Sequence, residues 1–237
     1  MDATWHEALV LPRVMPATRG HTRAICAVLD RSEREFICGR SRDVRAFYRL
    51  DKPLTWAKGT SMNDTRNVTD EFKGVPEEDI VSTLDARSHN LVIALENTER
   101  DFSMGTIVRS ANAFGVRHVY IIGRRQWNKR GAMMTDTYLH VHYLSTTSEF
   151  VEEMKRQERV IVAVDNIAGS MPLSQTQFPE RAVLVFGQEG PGISEEMAGA
   201  ADRIVAIEQF GSTRSLNVAT AATVVMYEWL RQYVLTK

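Results

Sequence analysis

Residues 207–228, IEQFGSTRSLNVATAATVVMYE, decide how the rest of the chain is read. They give a strand end, a Gly/Ser/Thr turn and then a long helix that begins near Arg214 and ends near Tyr233. From Val218 to Leu230 the helix is apolar or small on nearly every face, which predicts burial on several sides. Its start has the opposite character. Ser212, Thr213, Arg214, Ser215 and Asn217 crowd the end whose first N–H groups have no intrahelical partner. Two readings fit: Ser212, Thr213 or Ser215 caps the helix, or the polar end receives a ligand.

Working back from this stretch, strands and helices alternate after Asn90. Apolar runs at Leu91–Leu95, Val119–Ile122, Val141–Leu144, Val160–Val164, Val183–Phe186 and Ile204–Ile207 read as strands. Between them, Thr106–Phe114, Glu149–Gln157 and Ile193–Ala200 read as helices, and Arg124–Met134 as a loop. Such alternation predicts an α/β fold with a mainly parallel sheet, helices on both faces and ligand sites beyond the C-terminal strand ends. Pro76 with Glu77, Glu78 and Asp79 opens a short helix through Leu84, because proline suits the first turn and acids favour the positive end of the helix dipole. That start predicts a boundary between an N-terminal extension, residues 1–75, and a domain spanning 76–237. Residues 1–50 suggest a small α+β extension, and Asp51–Gly74 a linker or surface wrap.

The chain has 237 residues, with 29 Lys and Arg nearly balancing 30 Asp and Glu, so a nucleic-acid surface has to come from local patches. Two are visible. A basic run extends from Arg23 to Lys52, and Arg124, Arg125, Lys129 and Arg130 surround Trp127. Either reads equally as solvated surface. Cys26 and Cys38 are too few for a disulfide framework, which points to a reducing cytosol. No apolar run reaches the roughly 18 residues of a membrane span, and no charged-then-apolar leader is visible.

Three polar constellations sit at predicted strand ends. One joins Glu96 and Asn97 to Arg109 and Ser110 in the next helix, where an arginine can hold a phosphate through paired N–H bonds or form a salt bridge with Glu99 or Asp101. The second is Gly187-Gln188-Glu189-Gly190-Pro191-Gly192, a turn whose backbone can approach a ligand closely. The third is the opening stretch. No Walker loop, H-E-x-x-H, G-x-S-x-G elbow or leading G-x-G-x-x-G is found, which weakens nucleotide hydrolysis, zinc proteolysis and serine hydrolysis. His140 and His142 share a strand face without an evident third ligand, so a paired polar face is favoured over a metal site.

Together these stretches resemble the SpoU (TrmH-like) group of the SPOUT RNA methyltransferases. Asp101 to Gly115, DFSMGTIVRSANAFG, is similar to that family's first motif, Leu184 to Ser194, LVFGQEGPGIS, to its second, and Ile207, Gly211 and Ser215-Leu216-Asn217-Val218 to its third. The resemblance spans roughly Asn90 to Tyr233. It implies a deep trefoil knot in the C-terminal half, which periodicity does not reveal, and a cytoplasmic homodimer that binds S-adenosylmethionine in the knot. The activity implied is methylation of a ribose 2′-hydroxyl in tRNA or rRNA, without a metal. By position, Gly187, Ile207 and Leu216 would hold the cofactor through backbone groups. Arg109 would be the catalytic or phosphate-positioning residue, Glu189 would brace the knot, and Ser215 and Asn217 would line the reaction site. The Arg124–Thr135 segment resembles a loop of a bacterial branch of the family, and Arg124, Arg125, Trp127 and Arg130 are candidate RNA contacts. Ser103 stands where the family usually has Asn, a substitution expected to affect RNA positioning or Arg109 orientation. It motivates an alternative, a SPOUT-fold RNA-binding protein with weak or lost catalysis. A small-molecule enzyme on an α/β scaffold has only fold analogy behind it.

Overall fold

The computed structural model describes residues 64–97 and 103–236 in full and, from the first 63 residues, three short strands. The chain divides into two compact units, Met1–Lys58 and Gly59–Lys237. In the first, β1 (Ala24–Cys26), β2 (Ile37–Arg40) and β3 (Ala46–Phe47) form an antiparallel sheet in sequential order. The side chains of the basic run from Arg23 to Lys52 lie outside the described residues.

The second unit opens with a wrap tied by side chains. The Arg66 guanidinium grips the Asp64 carboxylate and also donates to the Val75 carbonyl at 2.9 Å. Bonds from Arg66, and from the Gly74 amide, hold the Asp64 carboxyl well below the usual range. The chain then enters α1 (Glu77–Ala86), with Pro76 at its N-cap and Glu77, Glu78 and Asp79 in the first turn. Next come β4 (Val92–Asn97), α2 (Met104–Ala113), β5 (His118–Gly123), β6 (His140–Leu144), α3 (Thr147–Arg156) and β7 (Val160–Val164). The last elements are β8 (Met171–Pro172), β9 (Ala182–Phe186), α4 (Glu195–Ala200), β10 (Arg203–Ala206) and α5 (Val218–Tyr233).

Seven strands pair in the order β6-β5-β4-β9-β7-β10-β8, every described pairing being parallel. Because side chains alternate across a strand, each central strand feeds two cores. Ile93, Leu95, Leu184 and Phe186 pack with Met104, Ile107, Ala222 and Trp229 of α2 and α5. Val92, Ala94, Val183 and Val185 pack on the other face with Phe150, Met154 and Met197 of α3 and α4. Both faces are therefore covered, as the continuous apolar runs predict.

Several boundaries differ from the sequence reading, each for a local reason. The last helix starts at Val218, four residues after Arg214, because Asn217 is its cap: the side-chain Oδ1 accepts from the amides of Ala219 and Thr220 at 3.0 and 3.2 Å. Ser212, Thr213 and Ser215 instead belong to an irregular loop. Burial of α5 is one-sided. Ala219, Ala222, Val225, Met226, Trp229 and Leu230 are buried, whereas Val224 and Tyr227 are 40% and 51% exposed. The α2 helix begins at Met104, with Gly105 in its first turn; a Cβ on Gly105 would lie 2.7 Å from the Ala132 amide nitrogen. The two-residue strand β8 gave no sequence signal, and its Pro172 fits an edge position where no ladder N–H is needed.

Candidate functional site

Buried strand β9 runs straight into the turn 187–192, closed by reciprocal bonds between the backbones of Gln188 and Gly192, both 3.1 Å. Gly190 and Gly192 have φ of 95° and 77°, a region that favours glycine. Gly187 is required for a different reason: a Cβ there would meet the Gly192 carbonyl carbon and oxygen at 2.2 Å. The turn is pinned to the end of β7, where Asp165 accepts the Ile193 amide at 2.8 Å. It is pinned again through the buried Glu96 of β4, which accepts the Ser194 amide at 2.8 Å and hydroxyl at 2.6 Å. Ser194 in turn caps α4.

Facing this turn is the loop between β10 and α5. Glu208 anchors it, accepting from the amide and hydroxyl of Ser174, and the hydroxyl bond keeps the Glu208 carboxyl below its usual range. A cavity of about 550 Å³ lies between the two segments. Gly187, Ile207 and Leu216, the expected cofactor residues, all line it, as do Glu189, Ser215 and Asn217. Arg214, part of the polar end read from the sequence, lines it too, as do Asp165 and Gln209, which were not singled out from sequence as site residues. The position of Asp165 directly after an apolar strand was the available signal, since ligand sites gather at C-terminal strand ends.

One hydrogen-bonded cluster joins the three sequence stretches. The Ser103 hydroxyl, buried at the start of α2, donates to Glu189 Oε1 at 2.5 Å. Asn217 Nδ2 donates to Ser103 Oγ at 3.2 Å and also to Glu189 Oε1. Asn217 thus fastens the loops of the first two stretches with one end of its amide and caps α5 with the other. Arg109 is placed differently. It is exposed on α2, outside the residues lining the cavity, and forms no ion pair with another described residue. Its suggested partners Glu99 and Asp101 lie outside the described residues.

The basic loop is held in place by Asn97, whose Nδ2 donates to the carbonyls of Arg124 and, at 3.0 Å, Gln126. Farther along, Gly131 packs backbone to backbone with Gly105 and Thr106 of α2. Arg124, Arg125 and Arg130 are exposed. The Arg125 guanidinium lies 4.8 Å from the Tyr143 ring centroid. Trp127 is half-buried against the α2/α5 core, with Lys129 Nζ 5.4 Å from its ring centroid.

At the β6 edge, His140 and His142 do share a face, and His118 joins them from β5, with its Nδ1 3.0 Å from His142 Nε2. Burial, then the nearby His142 and His140, pushes His118 down to about 4. His140 Nε2 contacts Asp85 at 3.0 Å, and Asp85 also accepts from the buried Arg117. Among the described residues no group of three His, Cys, Asp or Glu side chains is arranged to hold a metal ion.

The model of the SpoU rRNA Methylase family matches residues 90–227. This chain belongs to that family. It is 26% identical over 156 residues to the tRNA (guanosine(18)-2′-O)-methyltransferase of Escherichia coli K12, covering 65% of this chain and 68% of that enzyme. Among solved structures, the Aquifex aeolicus TrmH/SpoU tRNA modifying enzyme superposes with a TM-score of 0.60 at 23% identity, over 68% of this chain and 83% of the other. The AdoMet-bound rRNA methyltransferase of Sinorhizobium meliloti gives 0.53 at 25% identity, over 61% and 57%. All three motif stretches read from the sequence fall within the matched family segment.

Proposed function

We propose that the chain transfers a methyl group from S-adenosylmethionine to a ribose 2′-hydroxyl of tRNA or rRNA. The observation that carries this reading is that the second and third stretches line one cavity while the first is tied to its edge through the Ser103–Glu189–Asn217 cluster. The lining fits the cofactor. Asp165 and Glu189 outnumber Arg214 among its charged residues, a balance that suits a cationic sulfonium. When bound, the cofactor supplies an electrophilic methyl group and loses its sulfonium charge on transfer.

The protein's own task is then orientation. In this reading the backbone at Gly187, Ile207 and Leu216 holds the cofactor, and Ser215 and Asn217 line the reaction site. Glu189, held by Ser103 and Asn217, keeps the two cavity loops in register. Ser103 contributes through Glu189, with its buried hydroxyl already engaged there. Arg109 fixes the phosphate beside the target ribose and stabilises developing alkoxide. A guanidinium stays protonated in proteins, so the hydroxyl proton passes to a phosphate oxygen or water. Arg124, Arg125, Trp127 and Arg130 supply phosphate and stacking contacts to RNA.

The same reading includes a trefoil knot formed where the 207–217 loop returns against the 187–192 turn. It also includes a homodimer, for which the exposed Val224 and Tyr227 of α5 offer apolar surface. A dimer would give Arg109, placed outside its own chain's cavity, a route to the partner's. Residues 1–75 are assigned to RNA selection and 76–237 to catalysis, in the cytoplasm where the RNA is found. The test is transfer of labelled methyl to tRNA and to rRNA from cells lacking the protein, followed by nuclease mapping. Label in an alkali-resistant dinucleotide is the expected result. No label in either RNA, together with no cofactor binding, overturns the proposal.

A further inference from the structure

A second cavity, of about 520 Å³, opens between the β5–β6 edge and the end of α3, and none of its lining residues lines the cavity beside the 187–192 turn. Its wall holds a cation without a counterion. Arg159 is half-buried, and among the described residues it forms no ion pair. Its Nε donates to Gln157 Oε1 at 3.0 Å and its Nη1 to the Asn90 carbonyl at 2.5 Å, both neutral acceptors, while Nη2 donates to no described residue. Burial and the neighbouring Arg181 hold the guanidinium below its usual range. Taking a charge out of water is costly unless it is paired. Glu153, the only carboxylate among the described residues of the wall, is taken up by Gln157 and Arg156.

His118 and His142 line the same cavity, joined by the 3.0 Å contact of His118 Nδ1 with His142 Nε2. A neutral imidazole carries one N–H. If His118 donates within the pair, His142 carries its proton on Nδ1; if His142 donates, His118 carries its proton on Nε2. Either way the pair offers one N–H to a third group, and one added proton makes that two.

We propose that this cavity is a phosphate-binding site, with the Arg159 guanidinium and the His118–His142 pair supplying the donors. A phosphate group brings both the missing negative charge and several acceptor oxygens. Two sources share this chemistry, an RNA backbone and free phosphate. Tyr143 lines the cavity and also carries Arg125 against its ring, which sets the site beside the loop assigned to RNA. The inference stands apart from the methyltransferase reading, since it involves neither the cofactor nor its cavity.

The His118 ring reports occupancy. In the empty protein, burial and then His142, His140 and Arg159 hold it down to about 4, against the opposing pull of Asp85. A phosphate beside it adds to the pull of Asp85 and Glu153 and favours the imidazolium. The experiment follows the imidazole resonances of the full chain by NMR as pH is lowered, with inorganic phosphate, with single-stranded RNA, or with chloride at matched ionic strength so that screening is equal. Phosphate or RNA is expected to move the His118 titration up by about one pH unit relative to chloride, a tenfold gain in proton affinity. A rise with RNA alone identifies the backbone as the source, a rise with inorganic phosphate identifies the free anion, and either supports the site. His89 lies outside the cavity and should not move. Arg159→Gln keeps a donor for the Asn90 carbonyl but loses the charge, and should remove most of the rise. If neither anion moves His118 beyond the chloride control, or if His89 moves equally, the inference is wrong, and both results come from the natural protein without any variant. A folded Arg159→Gln protein that shows the full rise would also overturn it.

Discussion

Replacing Asn217 by Ala removes two contributions that the structure separates by atom. Oδ1 caps α5 through the Ala219 and Thr220 amides, and loss of an Asn cap costs about 1 kcal/mol. Nδ2 bonds to Ser103 and Glu189 add less than a buried pair would, roughly another 0.5–1 kcal/mol, because Glu189 is exposed. At about 2–4 °C per kcal/mol for a unit of this size, Tm should fall by about 3–8 °C. Methyl transfer at saturating cofactor should fall about a hundredfold, the scale of a misplacement near 1 Å. Asn217→Asp separates the two roles. It retains the cap but sets a carboxylate against Glu189, so the folded state binds a shared proton more tightly than the unfolded one. Its stability should therefore be nearest the natural protein at pH 5 and decline toward pH 8. Thermal melts at both pH values, with label transfer at pH 8, give the comparison. A Tm for Asn217→Ala within about 1 °C of the natural protein would refute the capping argument, and identical pH profiles for the Asp and natural proteins would refute the Glu189 contact.

Gly187→Ala drives a Cβ to 2.2 Å from the Gly192 backbone, so the turn has to open; a loss of about 3 kcal/mol and of cofactor binding is expected by urea titration and calorimetry, and a stability change below about 0.5 kcal/mol would contradict it. If Arg124 and Arg130 each neutralise a phosphate, the double Ala variant should reduce the slope of log K against log salt by about 1.4 with single-stranded RNA while leaving cofactor affinity unchanged; an unaltered slope removes them from the interface. His118 titrates at about 4 when folded and near 6.5 when unfolded, so its contribution is complete above pH 6.5 and fades as pH falls toward 4. Because His118 keeps substantial solvent contact on β5, screening leaves roughly 1 kcal/mol of that effect, and His118→Gln should flatten the stability profile over this range in urea titrations at successive pH values.

The sequence by itself determined the class of fold and most of its elements, because apolar runs and helical spacing are local patterns that each element must satisfy to bury its own face. Val160–Val164 coincides with β7, and Val183–Phe186 lies within β9 to a residue. The three motif stretches were equally legible, being contiguous in the chain. What the sequence did not determine was which polar groups meet. Ser212, Thr213 and Ser215 look as suitable for a cap as Asn217, and only the path of the 207–217 loop around the cavity selects the last. His140 and His142 were visible as a pair, but His118 joins them only because β5 lies beside β6 in parallel register. Ser103 and Glu189 are 86 positions apart, and Asn217 reaches both only after the strand order β4-β9-β7-β10 has been laid down. Side-chain hydrogen bonds act over about 3 Å and carry no period along the chain, so tertiary structure alone could assemble the cluster.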